Sequence, residues 1–144
     1  MNKKLYEIYD TIIKPAATVT IALLIGITIS SHVSLQQVSG HSMDPTFHDG
    51  DYIIVTDLAT PKDNDVITLD TSYITNYEED GKHIIKRYYE SKSTDGYYVL
   101  GDNSAISYDS RYYGEAPKEA LEGVVLVDLS KSVRNTIATI TSLF

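Results

Sequence analysis

The run "PAATVTIALLIGITISSHVSL", residues 15–35, holds no formally charged residue and constrains this chain more than any other feature. A helix needs about 20 mostly apolar residues to cross a bilayer, and this run just meets that length. Five threonines and serines fall between Thr18 and Ser31. Helical Ser and Thr can bond back to backbone carbonyls, which keeps them compatible with hydrocarbon. Lys3, Lys4 and Lys14 precede the run, and no Lys or Arg follows until Lys62. Positive charge is retained on the cytoplasmic side, so the amino terminus is expected inside and the remainder outside. A cleaved leader would have an apolar core of about 7–15 residues and a small-residue cleavage site, and Ser30-Ser31-His32 is a poor one. A buried core helix would rarely stay uncharged over this length. The expected organisation is a cytoplasmic segment 1–14, an uncleaved transmembrane signal anchor 15–35 and an extracytoplasmic domain 36–144.

After Gln36 the texture changes to short β-type runs broken by turns. "DYIIV", "DVITL", "HIIKRYY", "GYYVL" and "EGVVLVDL" read as strands. With no long helical pattern between residues 36 and 128, the expectation is a mainly β protein. Its N-terminal transmembrane helix is followed by a compact antiparallel β-sheet domain. In the tail "KSVRNTIATITSLF", Val133, Ile137, Ile140 and Phe144 fall near one helical face, and packing against the β domain is expected. The net charge of −8 argues against a nucleic-acid partner, which would need clustered Lys and Arg. Cysteine is absent, so disulfides and thiolate metal sites are excluded.

The chemistry concentrates in "SGHSMDPTFHDGDYIIV", residues 39–55, where Ser42 sits in a loop before an apolar strand. His41 is the obvious candidate base, but neighbouring side chains in an extended segment point to opposite faces, and Pro45 favours an extended Asp44. His32, His48 and His83 come with no evident Ser/His/Asp arrangement. Lysine is the alternative, since Ser-Lys dyads are an established variant of triad chemistry. A free ammonium with a pKa near 10.4 must be desolvated to act as a base. Lys86, following two isoleucines in "GKHIIKRYYES", is placed to enter an apolar layer. Lys62, Lys82, Lys92 and Lys118 lie in polar, turn-like stretches.

These residues resemble the type I signal peptidases, membrane-anchored serine proteases that remove signal peptides from exported proteins. "SGHSMDPT" matches the S-M-x-P-T nucleophile motif, and "DGDYIIV" the G-D box that follows it. "NDVITL" is similar to a second G-D-[VI] strand with Asn64 in the glycine's place. Lys86-Arg87 matches the lysine box. "LGDNSAISYDSRYYG" carries G-D-N-x-x-x-S-x-D-S-R-x-x-G in full, from Gly101 to Gly114. The resemblance implies Ser42 as nucleophile and Lys86 as general base. It also implies that Ser107 orients the lysine ammonium, that Asp109 and Arg111 form a supporting ion pair, and that Asp102-Asn103 fix the turn carrying the site. The oxyanion would take the Ser42 backbone N–H. Some members add a hydroxyl donor two residues earlier, where this chain has Gly40.

An extended substrate would pair with strand edges around residues 37–41 and 82–85, which makes Gly40, His41, Met43, Ile84 and Ile85 the expected substrate-binding positions. No metal or organic cofactor is required. The implied partners are signal-peptide-bearing secretory precursors, the lipid bilayer and the protein-export machinery, in a single-pass plasma-membrane protein of bacterial type. Two departures bear on the cleft. "YYESKSTDG" replaces the family's usual G-x-P-G-D turn after Lys86-Arg87, and some 110 exported residues leave no room for a second β domain. The rivals are a self-cleaving Ser-Lys protease of the SOS-repressor type and a dedicated or non-catalytic surface-protein assembly factor.

Overall fold

A computed structural model describes residues 2–75, 77, 82–131 and 133, and the chain divides into two units, Met1–Val33 and Ser34–Phe144. The first is a helix, Lys3–Ser31, long and apolar enough to cross a membrane by length and composition. At about 1.5 Å per residue its 29 residues extend roughly 43 Å, beyond the ~30 Å of a hydrocarbon core. Its first turns widen into a π-helical stretch at Tyr9–Ile13, just before Pro15. A proline ring clashes with the carbonyl four residues back, and a wider turn relieves that contact. All five hydroxyls from Thr18 to Ser31 donate to carbonyls three or four residues earlier, at 2.8–3.1 Å.

The helix stops at Ser31, four residues before the expected end of the apolar run, and Val33–Gln37 is a strand instead. Val33 and Leu35 alternate with Ser34 and Gln36, a period-2 pattern that serves a sheet edge. This strand takes the edge position in the sheet, beside Tyr52–Thr56.

That sheet has six strands: β1 (Val33–Gln37), β2 (Tyr52–Thr56), β3 (Val66–Asp70), β4 (His83–Tyr88), β5 (Val99–Leu100) and β6 (Leu121–Asp128). Their spatial order is β1-β2-β6-β3-β4-β5, and the pairs β2–β6, β6–β3, β3–β4 and β4–β5 are antiparallel. The fold is therefore mainly antiparallel β with an N-terminal apolar helix. Two register shifts leave Leu126 and Glu122 as extra residues in β6. Such bulges bend and twist a strand, and this one runs through the middle of the sheet. Gly123 is required between them, because a Cβ there would lie 2.5 Å from the Thr56 carbonyl oxygen.

The near-continuous apolar run of β3 is buried along its length, as expected of a strand covered on both faces. Ile67 and Leu69 join Tyr88, Val99 and Val124 in one core cluster. Val66 joins Val38, Met43, Phe47, Ile53 and Ile85 in the other. The second cluster lies under the Ser42 loop and makes it part of the core's surface. Residues 129–131 and Val133 are helical, and Val133 is exposed. Ile137, Ile140 and Phe144 lie outside the described residues.

Candidate active site

Ser42 occupies a tight turn, not an extended segment. Thr46 and Phe47 N–H both donate to the Met43 carbonyl, at 2.8 and 3.0 Å, and the Asp44–Pro45 peptide is cis. His41 turns away from Ser42 and binds Asp44, Nδ1 to Oδ2, at 3.1 Å. Neither ring nitrogen hydrogen-bonds Ser42 Oγ among the described residues, so its exclusion as a base rests on reach and not on strand alternation. Among the described residues, the nitrogen within hydrogen-bond reach of Ser42 Oγ is Lys86 Nζ, 2.8 Å away.

Lys86 comes from β4, where it stands opposite Ile67 and only 3% of its surface reaches solvent. Its Nζ also donates to the Ile85 carbonyl at 3.2 Å. Burial lowers its pKa to about 8, against a weaker upward pull from Asp109. Desolvation disfavours the ammonium, and only a charge held nearby limits the shift.

Asp109 is fully buried and accepts four hydrogen bonds: from Arg111 Nε and Nη2 at 2.8 Å each, from Gly101 N at 2.9 Å and from Arg111 N at 3.3 Å. Burial alone would raise its pKa, but these donors, Arg111 first, hold it below the ordinary carboxylate range. Asp102 makes a second bidentate pair, with Arg87 Nε at 2.8 Å and Nη2 at 2.6 Å. Burial would raise its pKa, but the hydrogen bonds from Arg87 and Thr46 and the Arg87 charge together lower it. Arg87 Nη1 donates to the Asn64 carbonyl at 2.8 Å. Asn64 has a φ of 69°, which explains why asparagine can stand at a glycine position. Asn103 clips the Ser42 turn directly: its N–H donates to the Ser42 carbonyl at 2.9 Å and its Nδ2 to the His41 carbonyl at 3.1 Å.

Ser107 is buried near this turn, where its hydroxyl helps to lower the Asp109 pKa. The expected contact to Lys86 is not made; the hydrogen bonds of Nζ go to Ser42 Oγ and the Ile85 carbonyl. Gly101 accounts for how close the parts sit. A Cβ there would strike the Ser107 side chain and come within 2.5 Å of the Ser42 carbonyl oxygen.

A cleft of ≈ 280 Å³ lies over Ser42 and Lys86, with Ile84, Ile85, Ile106 and Tyr108 among its walls. Ile84, Ile85 and Ser39 also line an adjoining groove that continues to Leu35. β5 pairs only with Arg87 and Tyr88, so among the described residues no strand pairs with the earlier half of β4 on that side. The Lys82 and Tyr88 carbonyls accept from Thr71 and Asn64 on the β3 side, which turns the backbone groups of His83 and Ile85 toward the groove. Gly40 stands at its exposed margin with φ +84°, its N–H held by Asp49 Oδ1 at 2.8 Å. Met43, expected to touch substrate, is instead fully buried. Its apolar chain turns inward between Val38, Phe47 and Ile53 and supports the turn from below. The sequence had pointed to neither the Arg87–Asp102 pair nor the Ile106–Tyr108 wall. The adjacency of Arg87 to Lys86 was the available signal for the first, and the second had none.

Comparison with protein families finds a match to the Peptidase S24-like family over residues 7–126. No curated protein matches the chain.

Proposed function

The chain belongs to the Peptidase S24-like family, and from that premise we propose that it is a membrane-anchored serine endopeptidase of the type I signal peptidase kind, removing signal peptides from exported proteins. The observation that carries this reading is a buried lysine amine 2.8 Å from a serine hydroxyl. In the catalytic form the contact reverses: Ser42 O–H donates to the neutral amine, which takes the proton as Oγ attacks the scissile carbonyl. The lysine then protonates the leaving amine, and a water activated by the same nitrogen hydrolyses the acyl-enzyme. The Ser42 N–H, which has no acceptor among the described residues, faces the developing oxyanion. Ser107 Oγ is the acceptor in reserve for the ammonium formed in mid-reaction.

The substrate lies extended along the groove and pairs with the backbone groups of His83 and the Ile85 N–H. Small side chains suit this shallow site, which agrees with the small-x-small pattern of secretory signals. The apolar helix serves as the anchor, with residues 1–14 cytoplasmic and the β unit outside. That helix favours this reading over a self-cleaving repressor, which needs no such segment. Secretory precursors are the partners.

Detergent-solubilised protein should cleave a signal-peptide-bearing precursor after a small residue, and Ser42→Ala should not. Cleavage surviving in Ser42→Ala would remove the serine from the mechanism. Failure of the wild type on every precursor tried would shift weight to an assembly factor.

The pH dependence follows from Lys86. Its base form is depleted as pH falls through about 8, so kcat/KM should fall about tenfold per pH unit on the acid side and level off above. A flat profile from about pH 6 to 9 would rule out this lysine as the titrating base.

A further inference from the structure

We propose that Ile106 and Tyr108, backed by Tyr77, form a subsite for the first residue after the scissile bond, one that selects an apolar or aromatic side chain over a charged one. This inference rests on the peptidase reading. Its starting point is the way the two cavities divide the cleft. Both are lined by Ser39, His83, Ile84 and Ile85, and only the one holding Ser42 and Lys86 is lined by Ile106, Tyr108 and Tyr77. A chain that pairs with β4 along the Leu35–Ser39 groove therefore meets Ile106 and Tyr108 only on reaching the dyad. With the segment before the bond in the groove, the residue beyond it faces this wall.

The wall is preorganised. Tyr108 stacks on Tyr112 with centroids 5.2 Å apart and meets Tyr77 edge-on at 5.4 Å. Tyr113 packs against both Tyr77 and Tyr108, at 5.7 Å in each case. Packing on several sides fixes the ring before substrate arrives, so little conformational freedom is lost on contact. Ile106 is 62% and Tyr108 38% exposed, which leaves apolar surface for a substrate side chain to cover. The fold does not need that surface for its core.

The test has a kinetic and a binding arm. Peptides with a small residue before the bond and Phe, Leu or Asp after it are compared by kcat/KM. The wild type should favour Phe and Leu over Asp by about tenfold or more, the range apolar subsites typically give. Tyr108→Ala and Ile106→Ala should each bring the ratio toward one, and Tyr108→Phe should retain it. An unchanged ratio in both alanine variants overturns the subsite while the peptidase reading stands.

In the second arm, Ser42→Ala protein is titrated with a peptide carrying Trp after the bond. The chain has no tryptophan, so the emission of the peptide's own Trp reports binding. Tyr108→Ala should weaken that binding about tenfold but leave a peptide with Trp far upstream unaffected. If the wild type cleaves nothing yet the Trp peptide binds in a Tyr108-dependent way, the peptidase reading fails, the cleavage subsite falls with it, and the wall is left as a peptide-binding surface only. Binding indifferent to Tyr108→Ala overturns the subsite.

Discussion

Lys86→Met will abolish peptide-bond cleavage and, at neutral pH, make the fold more stable. Removing the general base should lower kcat by at least about a thousandfold, the upper range for acid–base groups and below that for whole dyads and triads. The stability gain follows from linkage. The folded pKa of about 8 lies below the 10.5 of the unfolded lysine, so the unfolded chain binds the proton more tightly. The penalty is absent above about pH 10.5, grows as pH falls toward 8 and is fully present below it. At about 1.4 kcal/mol per unit it amounts to roughly 3 kcal/mol, and methionine fills the same space without a charge. Urea unfolding near pH 7 should show a higher midpoint for Lys86→Met, and the advantage should vanish above about pH 10. A variant that loses activity together with stability would mean that the Ser42 contact holds the fold and that the lysine is structural.

This trade between activity and stability explains why Lys86 was visible in the sequence. A lysine after two isoleucines in a β-type run breaks the rule that buried positions are apolar, and such breaks concentrate at functional sites. Ser42 was visible because S-M-x-P-T and the box from Gly101 to Gly114 each carry several residues at fixed spacing. Four of the five expected strands keep nearly their expected bounds, and "GYYVL" contributes only Val99–Leu100. β1 was hidden because five alternating residues directly follow a long apolar run, and hydropathy merges the two.

The tertiary contacts were hidden for another reason. Arg87 meets Asp102 across 15 positions and Asn103 meets the His41 carbonyl across 62, through a register no local pattern encodes. The direction of Met43 was misjudged because a turn, not a strand, carries it. Position in a motif told which residue matters and not which way it faces. The same motif therefore singled out Ser42, which stands 2.8 Å from Lys86 Nζ, and misplaced its neighbour.

Asp109→Asn should destabilise the fold by about 3 kcal/mol and also shift the residual activity toward acid pH. The carboxylate is fully buried and every hydrogen bond it makes is accepted: Oδ1 takes Arg111 Nε and N, and Oδ2 takes Arg111 Nη2 and Gly101 N. Whichever way the amide is turned, its NH2 group faces two donors. Breaking one side of a buried ion pair costs about 3–5 kcal/mol, and the lower end applies because Arg111 is partly exposed. The loop from Gly101 to Asp109 carries Asn103, which clips the Ser42 carbonyl, so kcat should fall with its loosening.

The second effect has the opposite origin. The Asp109 charge raises the Lys86 pKa, and its removal lets burial pull that pKa further down. What activity remains should thus persist to lower pH than in the wild type. Because the Asp109 pKa is lowered in the folded state, its contribution is present above the unfolded carboxylate range and lost as pH falls through the folded value. The stability difference between the two proteins should therefore shrink below about pH 4. Urea midpoints across pH, with kcat/KM profiles of both proteins, test the two effects separately. An alkaline shift of the activity profile would refute the coupling of Asp109 to Lys86, and equal stability at neutral pH would refute its role as a buried anion.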